Sequence, residues 1–114
     1  MAKTLDFNSM KRPILRLVMQ DEAKTNIDVS TPTEGLIEEL AAATRELDAV
    51  LQSGDASMVQ AIYDLAARLI SCNRSFRQVT AEELRYKYKL NLEDLVIFYS
   101  AYLDFIDEVT NSKN

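Results

Sequence analysis

The spacing of apolar side chains changes character along the chain. Before residue 31 it has period two. Leu15, Leu17 and Met19 alternate with Arg16, Val18 and Gln20, and Ile27 and Val29 alternate with Asn26, Asp28 and Ser30. That period marks strands with one buried face. The polar run DEAKT at 21–25 between them has hairpin length. The triplet Leu5–Phe7 offers a third short strand, and Pro13 restricts any strand that contains it to a sheet edge or a strand start. Two strands alone are marginal in water, so the hairpin is expected to pack on helices or to pair with a neighbour's edge.

After residue 30 the period becomes helical. Thr31 as cap, Pro32 at the first helical position and Glu34 three residues beyond the cap predict a helix start. Leu36, Leu40, Ala43, Leu47 and Val50 form its stripe, and Ser53-Gly54 ends it. Asp55 is placed to cap a second helix, whose apolar side collects Met58, Val59, Ile62, Leu65, Ala66, Leu69 and Ile70. The two helices are expected to pair as an antiparallel hairpin. Cys72-Asn73-Arg74 closes the second helix. Thr80 with Glu83 opens a short helix over 81–88, and Asn91 with Asp94 opens a long C-terminal one.

That last helix is the most apolar segment. In LEDLVIFYSAYLDFIDEV, Leu92–Val109, a rotation of 100° per residue spreads apolar side chains over about half the cylinder, against the ~100° stripe of an ordinary surface helix. Phe98, Tyr102, Phe105 and Val109 lie together at one rim of the arc. Two partner helices are expected to leave that rim uncovered, which makes these four residues the candidate protein interface.

Together these elements predict a mainly α protein with a small N-terminal β-hairpin (α+β): a bundle of about four helices packed with two or three short strands. One domain is expected over 1–114, with the hairpin region at 1–30, the bundle at 31–110 and a frayed tail at 111–114. An apolar content of 47% and a charged content of 27% suit an ordered chain. No run approaches ~18 apolar residues, and MAKTLDFNSMKRPIL lacks the core of a secretory signal, so a cytosolic protein without a membrane span is expected.

The chemistry is sparse. With no histidine and one cysteine, Cys72, the usual zinc ligand sets and His-assisted nucleophiles cannot be assembled. Gly35 and Gly54 are too far apart for a phosphate-cradling loop. The acidic pairs Glu38/Glu39, Glu82/Glu83 and Asp107/Glu108 read as solvated faces or helix-dipole partners. No enzyme activity, cofactor or metal is expected. Cys72 reads as a small buried hydrophobe. Net charge is −5, but it is unevenly placed: residues 31–55 hold one basic and six acidic groups, residues 56–90 six basic and three acidic. Alternating signs of this kind suit segments that pair with one another, or head-to-tail self-association. The basic run Arg74, Arg77, Arg85, Lys87 and Lys89, interleaved with Phe76, Tyr86 and Tyr88, is expected to dock on an acidic protein neighbour and not on nucleic acid.

Three stretches carry a family resemblance. TLDFNSMKRPILRLVMQDEAKTNIDVSTPTEGLIEEL is a short strand, a hairpin and S-T-P-T running into a helix. YDLAARLISCNRSFRQVTAEEL is a helix, a turn and V-T-x-E-E-L. LNLEDLVIFYSAYLDFIDEV is a capped, aromatic-rich helix. In this order and spacing, nearly the full chain resembles the small tail assembly chaperones of long-tailed bacteriophages and prophages of Gram-positive bacteria. The resemblance implies a non-enzymatic protein of the host bacterial cytoplasm that is absent from the mature virion. It implies binding to the tape-measure protein, and to the tail-tube protein as a further partner, so that the former stays soluble until the tube assembles. It also implies a homo-oligomer. Phe98, Tyr102 and Phe105 are the interface candidates by similarity. The alternative is an acidic adaptor or inhibitor that binds a host protein or mimics nucleic acid.

Overall fold

The structure is a computed structural model that describes residue 3, residues 13–75 and residues 77–111. The expected strand at Leu5–Phe7 lies outside the described residues. The alternating segments form an antiparallel hairpin of β1 (Leu15–Val18) and β2 (Asn26–Val29), paired Leu15 with Val29 through Val18 with Asn26. Period two does what it must: Ile27, Val29 and Met19 are buried, while Arg16 and Val18 face out. Arg16 grips Asp28 across the strands at 2.7 and 3.1 Å. At the tip, Met19 N–H donates to the Thr25 carbonyl, Lys24 N–H to that of Asp21, and Lys24 adopts a positive φ of 49°.

Three long segments are helical: α1 (Glu34–Ser53), α2 (Ala56–Ile70) and α3 (Leu92–Asn111). The α1 cap is Thr33, whose hydroxyl accepts from Leu36 N–H at 3.4 Å, and not Thr31 as expected. The cause is the preceding strand. Ser30 N–H donates to the Cys72 carbonyl at 2.7 Å, and the Ser30 carbonyl accepts from the Tyr102 hydroxyl at 2.7 Å. Those bonds hold the chain extended past Ser30, so winding begins later. The other signals act as expected. Gly54 ends α1 in the left-handed region (φ 65°) and donates to Val50; Asp55 caps α2 through Ser57 and Met58; the backbone N–H groups of Asn91 and Asp94 each donate to the other's side-chain oxygen, at 2.9 and 2.8 Å. α3 runs to Asn111, one residue beyond the expected boundary.

Between α2 and α3 the short helix is a π-helical turn, Glu83–Lys87. Thr80 and Glu83 cap it reciprocally at 3.1 Å. Tyr88 N–H donates to the Glu83 carbonyl and Leu90 N–H to that of Leu84, with Lys89 at φ 57° between them, a left-handed stop built without glycine.

The three helices pack against one another, and the hairpin rests on α2 and α3. The core runs from Leu40, Leu47 and Val50 through Ile62, Leu65, Leu69 and Ile70 to Leu95, Tyr99 and Tyr102, and includes Ile27 and Val29 of the hairpin. Asn73 is the organising polar residue. Almost fully buried, it donates to the Ile70 and Arg77 carbonyls and accepts from Ser75 and Arg77 N–H, so its whole amide is satisfied. It also bridges to Val29, and Arg74 N–H donates to the Asp28 carbonyl at 3.0 Å. The turn after α2 thereby closes the outer edge of β2.

Candidate partner-binding groove

The aromatic side of α3 is a ladder. The rings of Phe98 and Tyr102 stack at 5.4 Å and those of Tyr102 and Phe105 at 6.0 Å. The expectation that this rim stands exposed is overturned: Phe98 is 7% exposed, Phe105 8%, Tyr102 fully buried and Val109 half-buried. Helices alone do not cover it. Residues 13–20 supply the rest, running beside α3 in the opposite direction, with Pro13 and Ile14 near Phe105 and Val109, and Leu17–Gln20 near Phe98. The Tyr102 hydroxyl, held by Ser30, pins the middle of the ladder under this cover. Burial pushes the Tyr99 and Tyr102 phenols far above their ordinary range, so both stay neutral donors.

The cover leaves a recess on each side of Tyr102. One, of about 370 Å³, is lined by Pro13, Ile14, Phe105, Glu108 and Val109. The other, of about 260 Å³, lies between β1 and the first half of α3. Leu17, Val18 and Met19 form one bank, Ile97, Phe98 and Ala101 the other, and Ile70 and Leu90 contribute at the base. The Gln20 amide donates to Asp94 at 3.1 Å across it. Two apolar side chains stand out on opposite banks: Val18 at 59% and Ile97 at 68% exposure. Both are costly to leave in water. Neither is marked as a site by the sequence pattern. Val18 was the outward residue of an alternating strand, and Ile97 lay outside the contiguous apolar arc. The usable signal was an apolar residue at a position patterned for solvent.

The remaining candidates fall differently. Among the described residues no cluster of His, Cys, Asp and Glu could hold a metal ion, and no helix is long and apolar enough to cross a membrane. Cys72 is half-buried, its thiol pushed up by burial and 3.6 Å from the Arg68 carbonyl, which disfavours the reactive thiolate. Among the described residues, the interleaved aromatics do not form a stacking surface. Tyr88 is fully buried, Tyr86 points out at 74% exposure, and Phe76 lies outside the described residues. The Arg85 guanidinium stacks over the Tyr63 ring at 4.2 Å, and Lys87 lies over Tyr88 and 3.7 Å from Glu83.

No family model matches this chain, and no curated protein or solved structure matches it.

Proposed function

We propose that this protein is a non-enzymatic tail assembly chaperone that keeps the tape-measure protein soluble by covering apolar stripes of its helices. The observation that carries this reading is the groove between β1 and α3, with Val18 and Ile97 held out on its two banks above an apolar floor. A groove of this shape matches helix-in-groove recognition, where anchors spaced i, i+3 and i+4 enter an apolar trough. The binding energy comes from removing Val18, Ile97 and their counterparts from water, at ~25 cal/mol per Å². The resemblance of the three chain stretches supplies the identity of the partner. It also supplies the setting, the cytoplasm of an infected host cell, with no place in the finished virion.

Co-expression with a tape-measure protein, the long helical partner proposed here, tests it. The wild type is expected to bring that protein into the soluble fraction and to co-purify with it. Ile97→Glu, and Val18→Glu separately, are expected to abolish co-purification while the far-UV circular dichroism melt stays that of the wild type. A helical partner that stays insoluble beside the wild type, or that binds Ile97→Glu equally well, refutes the proposal.

A further inference from the structure

Among the described residues the large apolar side chains that stand in water are Val18, Leu51, Tyr86 and Ile97. Val18 and Ile97 belong to the β1–α3 groove. Leu51, 43% exposed, belongs to a separate trough of about 300 Å³ between α1 and α3, which shares no lining residue with that groove. On α1 the trough is lined by Thr44, Leu47, Asp48 and Leu51, and on α3 by Val96, Tyr99, Ser100 and Leu103. Each set is spaced i, i+3, i+4, i+7, so each bank is one face of its helix over two turns. Leu47 and Tyr99 are buried, while Leu51, Val96 and Leu103 keep part of their surface in water. Two such stripes converging on one trough leave the seat that a third helix fills in ridge-and-groove packing.

Charge at the lips chooses the occupant. Asp48 on α1 and Asp104, which follows Leu103 on α3, both stand exposed in the lining. The ion pairs of the described residues join Arg16 to Asp28, Arg68 to Glu39 and Lys87 to Glu83, and leave both of these carboxylates without a cation. Charges beside an apolar seam set partner choice between helices, so two carboxylates select a helix with Lys or Arg along its apolar stripe. A second copy of this chain does not supply that helix. α1 and α2 carry one basic residue each, Arg45 and Arg68, the latter engaged with Glu39, and α3 carries none. We infer that the α1–α3 trough seats a basic amphipathic helix of a different protein. Its apolar side chains cover Leu51, Val96 and Leu103, and its basic ones meet Asp48 and Asp104. The β1–α3 groove stays open beside it, so one subunit holds two helical segments in grooves of different charge.

Fluorescence anisotropy on the full chain tests this with synthetic peptides of about 18 residues, enough for five helical turns. One carries leucines at heptad spacing flanked by lysines. Another has the same stripe flanked by glutamates, and a third has the composition of the first with the stripe scrambled. The first is expected to bind at least about tenfold tighter than the others, and to weaken as salt rises. Leu51→Lys, and Ser100→Lys on the other bank, are each expected to lose this binding with unchanged thermal melts, since both positions are exposed. Asp48→Asn combined with Asp104→Asn is expected to weaken it about tenfold and to flatten the salt dependence. Equal binding of the scrambled peptide means attraction by charge alone and overturns the inference. Binding that survives both lysine substitutions also overturns it. So does wild-type protein without peptide that sediments as an oligomer and becomes smaller in Leu51→Lys, which gives the trough to a second copy. Both lysine variants are expected to keep co-purifying the tape-measure protein through the β1–α3 groove, so either proposal can fail alone.

Discussion

Replacing Phe105 or Phe98 by alanine separates a core role from an interface role. Each ring is more than nine-tenths buried and stacks on Tyr102, and each borders a recess. Truncating a buried phenylalanine costs about 3–5 kcal/mol in lost transfer and cavity terms. The neighbouring recess lets the site relax or hydrate, which favours the lower end, about 3 kcal/mol each. At roughly 4 °C per kcal/mol for a domain of this size, each variant is expected to melt about 12 °C below the wild type. The double variant, at about 6 kcal/mol before coupling through the shared Tyr102 ring, approaches the ~5–15 kcal/mol that a whole domain holds. Ile97→Ala, at an exposed position, is expected to stay within about 0.5 kcal/mol. Urea unfolding followed by far-UV circular dichroism over a wide range of protein concentration reads the difference. A core residue destabilises equally at every concentration; an interface residue does so only where subunits are associated. Wild-type midpoints for Phe98→Ala and Phe105→Ala in dilute solution, with losses appearing only when concentrated, would show that the hairpin does not cover the ladder.

Asn73→Ala removes a buried side chain that makes four bonds and holds the turn beside β2, and is expected to cost about 3 kcal/mol by urea unfolding. Tyr102→Phe strips the hydroxyl from the Ser30 carbonyl and is expected to cost about 1–3 kcal/mol. Tyr99→Phe is expected to cost less, about 0.5–1.5 kcal/mol, because Ile62, its acceptor, lies inside α2, where the helix ladder also uses the carbonyl; equal losses would refute that ranking. Lys24→Gly relieves a left-handed residue at the hairpin tip and is expected to raise stability by up to about 1 kcal/mol. Hydrogen bonds from Thr25, Arg16 and Ser57 hold the carboxyls of Asp21, Asp28 and Asp55, respectively, below the ordinary value of 3.8. Their folded-state affinity for protons is therefore lower than in the unfolded chain. Their contribution is complete above about pH 4 and is lost as pH falls through the depressed folded values. Acid titration of the melting temperature is expected to show a shallower fall in Asp21→Asn than in the wild type.

Sequence alone determined the elements and most of their ends. Asp55 with Ser57, Thr80 with Glu83 and Asn91 with Asp94 are bonds between residues two or three apart, and Gly54 answers a conformational demand of its own backbone. Local chemistry of this kind is written in consecutive residues. Period two at Leu15–Val18 and Asn26–Val29 likewise fixed which side chains turn inward. Where local signals competed, the winner was chosen from afar: Thr33 caps α1 in place of Thr31 because Cys72 and Tyr102 hold Ser30 extended.

Only the tertiary structure decided what covers what. The ladder of Phe98, Tyr102 and Phe105 looked too wide for two helices, and it was; the hairpin closed over it through a bond between residues 72 positions apart. Burial depends on the sum of every surface that arrives at a site, and no period in one segment records that sum. The same closure moved the exposed apolar surface to Val18 and Ile97, and the folding of the 83–89 turn left Tyr86 outside while it took Tyr88 in. Adjacent residues of one composition were sorted to opposite fates by packing geometry.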